Sequence, residues 1–237
     1  MKKLIILFLS TVLLSSCNNT NTKVSEFAER FAVRDSTLEG KLETILRRDQ
    51  AIRRLMDARI SDETRAKTLS YLNLSESELK SNSVYFFMNL IDSINQVAVD
   101  KIISEHGYPG KSKVKSPWHK TVFYVAQHSG NIEKYLPLIE KAANHGELEK
   151  KNWAMMYDRY LMDNNKTQIY GTQVWGQKTK DGGWIEFVWP LQYPDSVNQL
   201  RKEVGIENTI EEMCANFEMD YKIYTLEEAL ELKKSSK

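Results

Sequence analysis

The chain has 237 residues, a formal net charge of +1, 41% hydrophobic side chains and two cysteines. That near-neutral balance excludes a basic nucleic-acid-binding or polybasic membrane-surface protein. The length allows a sizeable core without disulfides, and two cysteines exclude a disulfide framework.

Lys2 and Lys3 precede an almost unbroken apolar run, Leu4 to Leu14, which closes with Leu14-Ser15-Ser16-Cys17. The run is too short to span a bilayer, which needs roughly 20 apolar residues. The segment resembles a bacterial lipobox: residues 1–16 read as a lipoprotein signal peptide, Cys17 as the lipidated, palmitate-bearing first residue, and residues 17–23 as a polar tether. Loss of Lys2 and Lys3 takes the formal charge from +1 to −1. Asn18 after the cysteine resembles the export-permissive case, so the expected location is the cell envelope, in the outer membrane facing the periplasm. The expected membrane partner is lipid through Cys17; no nucleic acid is expected.

From residue 24 to 237 the pattern predicts a single, mainly α, multi-helix domain with one β-hairpin. A short helix is predicted within 23–35, from Phe27, Phe31 and Ala32. Ser36-x-x-Glu39 has the form of a capping box and opens a helix to about Arg59, with Leu38, Leu42, Ile45, Leu46, Ile52 and Leu55 on one face. Helices follow at 61–71 and about 77–106, ended by Gly107-Tyr108-Pro109-Gly110. Ser116-Pro117 predicts a hydroxyl cap and a proline in the first turn of a helix to Ser129. Asn131 to His145, with Pro137 early in it, and Glu147 to about Met162 are the next two. Then β-branched and aromatic residues take over: 168–175 and 184–189, around Lys180-Asp181-Gly182-Gly183, predict a hairpin at about 168–190. Short helices are expected near 196–204, 210–217 and 226–233. Cys214 reads as a small buried hydrophobe.

Acids on apolar helix faces need partners, because burying an unpaired charge is costly. At helical spacing, Asp49 neighbours Ile45, Leu46, Ile52 and Arg53, which predicts an inward carboxylate paired with Arg53. Asp158 neighbours Ala154, Met155, Leu161 and Met162 and has no partner on its own helix. Arg159 faces Met155, Met156, Met162 and Asp163. Asp92 lies in a more polar patch, His128 sits near a helix end, and His119 and His145 read as surface or end positions. No pattern for a metal site, a nucleotide loop or a nucleophile elbow is present, and no cofactor is expected.

Asp49-Gln50-x-x-Arg53, Asp92-x-x-Asn95, Gly107-Tyr108-Pro109, Gln127-His128, Asp158-Arg159, Gln168-x-Tyr170-Gly171-Thr172-Gln173 and Arg201-x-x-x-Gly205 occur in that order. The series resembles a bacterial domain family of unknown function, common in secreted and lipid-anchored proteins, over about Leu42 to Gly205. Tyr108 stands where the family pattern has tryptophan, 61–83 resembles an insertion, and Lys202 replaces a second arginine. The resemblance implies a shared site and no named reaction.

Three readings stay open. In the first, an envelope lipoprotein binds a small polar ligand in a pocket of Asp49, Arg53, Arg159, Gln168, Tyr170 and Gln173, with His128 and Asp158 alongside. In the second, it hydrolyses an envelope substrate, with His128 as general acid or base, Asp158 or Asp49 orienting it, and Arg53 or Arg159 stabilising an anion. In the third, the polar set fixes helix packing and an apolar patch around Trp175, Trp184 and Trp189 engages an envelope protein. Gln168 and Tyr170 share strand parity and Gln173 does not, so Gly171 must bend if all three share a site.

Overall fold

A computed structural model describes residues 24–179 and 182–235. The leader, Cys17 and the tether lie outside the described residues, as do Lys180 and Asp181 of the predicted turn. Among the described residues the chain is mainly helical with a single two-stranded antiparallel hairpin, as the pattern predicts. It divides into two compact units, one up to Glu105 and one from His106.

The first unit holds α1 (24–30), α2 (Leu38–Arg54), α3 (Asp62–Leu72) and α4 (Glu76–His106). Helix α2 starts at Thr37, whose side chain accepts from the Gly40 N–H, and not at Ser36. Asp35 decides this: its Oδ1 takes both the Thr37 N–H and hydroxyl at 2.7 Å, which fixes Thr37 in the capping position. Ser61 caps α3 and Asn73 closes it in a left-handed conformation. Ser83 interrupts α4 with φ 62°, ψ 157°. The predicted apolar faces meet in one core: Phe27 and Phe31 of the first segment, Ile52 and Leu55, Leu69 and Leu72, Phe87 and Ile91. Edge-to-face rings of Phe27, Phe86 and Phe87 lock α1 to α4. Val97 of α4 is exposed.

The second unit continues with α5 (Thr121–His128), α6 (Ile132–Asn144), α7 (Lys150–Asp163), the hairpin strands β1 (Val174–Lys178) and β2 (Trp184–Val188), and α8 (Val197–Glu203), α9 (Ile210–Asn216) and α10 (Leu226–Ser235). Ser116 does not cap α5: the Ser116–Pro117 peptide is cis, and a 3-10 turn, Trp118–Lys120, leads into the helix. The hairpin register pairs Val174 with Val188 and Lys178 with Trp184. Its two faces are buried differently. Phe187 and the following Trp189 pack with Ala229, Leu226 and Leu230 of α10. Val188 packs with Val197, Ile210, Met213 and Cys214. Cys214 is buried, as expected of a small hydrophobe.

The first strand is shorter than predicted. Residues 168–173 are a loop, joined to the rest by an isolated bridge between Gln168 and Leu191. At its two ends Gln168 and Gln173 keep backbone hydrogen bonds to Pro190, Gln192 and Trp189, while between them backbone groups of residues 169–172 are taken by side chains. The predicted tryptophan patch does not form either: Trp189 is fully buried, Trp175 is half-buried, and Trp184 alone of the three is exposed. No described helix is long and apolar enough to cross a membrane.

Candidate functional site

Asp49 and Arg53 belong to the first unit. Asp49 is fully buried, and its Oδ1 accepts from Arg53 Nη1 at 2.9 Å while Oδ2 accepts from the Gln50 amide at 2.7 Å. The pairing predicted at i, i+4 is therefore present. Arg53 goes further: Nη2 donates to both oxygens of Asp92 on α4, each at 2.9 Å. One guanidinium thus ties α2 to α4, bridging the two carboxylates. The Arg53 and Asp92 side chains are 22% and 17% exposed, so this cluster reaches solvent.

The other predicted residues belong to the second unit. Asp158, on the buried side of α7, reaches the loop at 168–173. Oδ1 accepts the Ile169 N–H at 2.8 Å, and both oxygens share the Tyr170 N–H at 3.1 Å. Oδ2 also accepts the Thr172 N–H at 3.1 Å and its hydroxyl at 2.9 Å. Burial pushes the Asp158 carboxyl up from its ordinary value, and the donors from Ile169, Tyr170 and Thr172 pull it back. Four donors converging on two oxygens suit a carboxylate, which is acceptor-only. The same crowding leaves Asp158 poorly placed to orient a histidine.

Gln168 and Gln173 close the loop on itself. The Gln168 amide donates to the carbonyls of Gln173 at 2.9 Å and Trp189 at 2.6 Å, and its oxygen accepts the Gln173 N–H at 2.9 Å. The Gln173 amide donates to Met155 O of α7 at 3.1 Å and to the Thr172 hydroxyl at 3.0 Å. Both glutamines are buried. Gly171 supplies the bend that opposite strand parity demands: its φ is +63°, and a Cβ there would stand 2.5 Å from the Ile210 side chain. The Tyr170 ring meets Trp153 edge-on, and Trp153, Tyr157 and Tyr160 stack along the half-buried side of α7.

Arg201 was legible as a motif and not as a member of this group. It is 2% exposed. Nη1 donates to the carbonyls of Tyr170 at 2.9 Å and Gly171 at 3.2 Å; Nε and Nη2 donate to Asn208 O and Oδ1 at 2.8 and 3.0 Å. The loop is therefore gripped from two sides, its N–H groups by a carboxylate and its carbonyls by a guanidinium. Burial pulls the Arg201 guanidinium down, and the field of Asp158 opposes it. Gly205, the other end of the Arg201 motif, ends α8: it is left-handed at φ +81°, and Ile206 N–H returns to Arg201 O.

Arg159 takes no part in this network. It is half-buried, its Nε is shut from solvent without an acceptor, and its neighbour in charge is Asp163, one turn on. His128 is the last residue of α5 and is half-buried.

A histidine read from sequence as a surface position proves buried. His119, in the 3-10 turn before α5, is 2% exposed, and its Nε2 lies 3.3 Å from both oxygens of Glu149, the N-cap residue of α7. Lys111 and Lys120 approach the same carboxylate at 3.3 and 3.7 Å. Burial pushes Glu149 up, but its own backbone N–H, His119 and Lys120 outweigh that and hold it down to about 2. A carboxyl held below its unfolded value stabilises the fold above about pH 4.5, and that contribution is lost as pH falls toward 2. Acid melts of Glu149→Gln are expected to show a shallower loss of melting temperature across that window than the natural chain. Equal slopes would remove the assignment. The predicted helix from Ser116 contains His119, and Val122 and Phe123, three and four residues on and both buried, are the signal for its burial. Among the described residues no group of three or more His, Cys, Asp or Glu side chains converges as metal ligands.

A family model described as a family of unknown function, DUF6624, matches residues 38–226. No curated protein matches the chain, and no solved structure does.

Proposed function

The chain belongs to the DUF6624 family, a family of unknown function, and on that premise we propose that it is a bacterial envelope lipoprotein, anchored through Cys17, that binds a small ligand bearing an anionic group at Arg159. The observation that carries the reading is the contrast among arginines. Arg53 and Arg201 spend their donors on protein oxygens, whereas the Arg159 guanidinium has no hydrogen-bond acceptor among the described residues and its Nε is buried. Buried donors are normally satisfied, and a planar guanidinium is suited to a carboxylate or phosphate. Asp158, the preceding residue, is locked to the loop at 168–173, so α7 offers Arg159 from a fixed base. Gln168, Tyr170 and Gln173 then serve as the rigid support of the site and not as its contacts.

Two measurements test the reading. Native mass spectrometry of the full chain extracted from bacterial envelopes is expected to show a retained small molecule, with occupancy falling at least about tenfold in Arg159→Gln, a loss of the size expected for one charged hydrogen-bonding group. A natural chain with no retained molecule, or a variant with unchanged occupancy, rejects the site. Palmitate labelling of the chain is expected to vanish in Cys17→Ser; label that persists rejects the anchor.

A further inference from the structure

The core of the first unit contains a charge that no described acidic residue balances. Arg48 of α2 is 6% exposed. Its Nη1 donates to Phe31 O, and Nη2 donates to Asn95 Oδ1 on α4 at 2.7 Å. The guanidinium also lies 5.9 Å from the centre of the Phe31 ring. Two donors remain: Arg48 Nε and Asn95 Nδ2 are both buried and have no acceptor. Turning the Asn95 amide over does not help, because its NH2 would then face the guanidinium donors. The two orphans belong to side chains joined to each other by the same 2.7 Å hydrogen bond.

Among the described residues, Tyr71 is the ionisable group whose charge bears on Arg48, and no carboxylate does. Burial lowers the guanidinium only to about 10, so it is a cation at neutral pH. The neighbouring acids are committed elsewhere: Asp49 and Asp92 to Arg53, and Glu43 to Arg47. Arg201, the other deeply buried arginine, has four oxygen contacts and the field of Asp158. Burying an unpaired charge costs several kcal/mol. A water molecule would satisfy the two donors and leave that charge untouched; a small anion answers both.

We infer that Arg48 and Asn95 form the binding site of a small monovalent anion, of the size of chloride, nitrate or formate, held between α2 and α4. Asn95 is fully buried and Arg48 is 6% exposed. The site lies in a different unit from Arg159 and does not rest on the proposed function. It has a structural consequence: Phe31, which closes it, follows α1, so anion binding strengthens the seating of the first helix on α2.

The test is the melting temperature of the full-length chain in non-ionic detergent, at constant ionic strength, with gluconate replaced stepwise by chloride, nitrate or formate. A saturable rise of roughly 2–5 °C with at least one of the three is expected, as for a ligand that binds only the folded state. Asn95→Asp places a carboxylate against Arg48 and is expected to abolish the rise while melting, without added anion, no lower than the natural chain. No saturable response to any of the three anions, or the same response in Asn95→Asp, overturns the inference. If that variant does not fold, bromide-soaked crystals of the natural chain decide: an anomalous peak within hydrogen-bond distance of Arg48 Nε and Asn95 Nδ2 supports the site, and its absence overturns it.

Discussion

Replacing Asp158 by Asn lowers the stability of the chain by about 3–5 kcal/mol, the cost of removing the charged partner from a buried, hydrogen-bonded set. The substitution keeps the shape of the side chain and half of its acceptor capacity. The new NH2 group, however, faces N–H and O–H donors. Of the Ile169, Tyr170 and Thr172 donors that the carboxylate accepts, those held by the replaced oxygen alone lose their acceptor. The denaturant midpoint is the readout, at unchanged slope. Hydrogen exchange adds the location: the amides of Ile169, Tyr170 and Thr172 lose protection before those of α2 in the first unit. A shift below about 1 kcal/mol, the value of an ordinary exposed substitution, would mean that Asp158 is not what holds the loop.

The second large effect is at Arg201. Methionine in its place keeps the buried stem and removes four donor contacts, to Tyr170 O, Gly171 O and both oxygens of Asn208. An expected loss of about 2–4 kcal/mol follows from stranding those buried acceptors. The two substitutions share one loop, so they are not independent. Once Asp158→Asn has released residues 169–172, the carbonyls of Tyr170 and Gly171 are free to turn to water. The double variant is therefore expected to lose less than the sum of the two by at least about 1 kcal/mol. Strict additivity would show that the carboxylate and the guanidinium grip separate structures. Gly171 explains why the loop cannot compensate: its left-handed backbone and the Ile210 side chain against it allow one path for the chain.

Local pattern carried the helices well, because a helix satisfies its own backbone and announces its buried face every three to four residues. The apolar set of α2, the Arg53 partner of Asp49 and the burial of Cys214 were all readable from local sequence. The same spacing marks Arg48, whose helical neighbours include Ile45, Ala51 and Ile52, and His119, with Val122 and Phe123 three and four residues on.

The sequence by itself determined a mainly helical chain with one hairpin and membership of a recognisable series of motifs, since those depend on side chains near one another in order. Tertiary structure alone decided what the segment from Gln168 to Gln173 is. Its β-prone residues predicted a strand, but a strand needs a neighbour for its backbone. Here Asp158, eleven residues back from Ile169, and Arg201, thirty-one on from Tyr170, take those backbone groups first. A buried carboxylate and a buried guanidinium are each too costly to leave unsatisfied, and the peptide groups between them are what satisfies both.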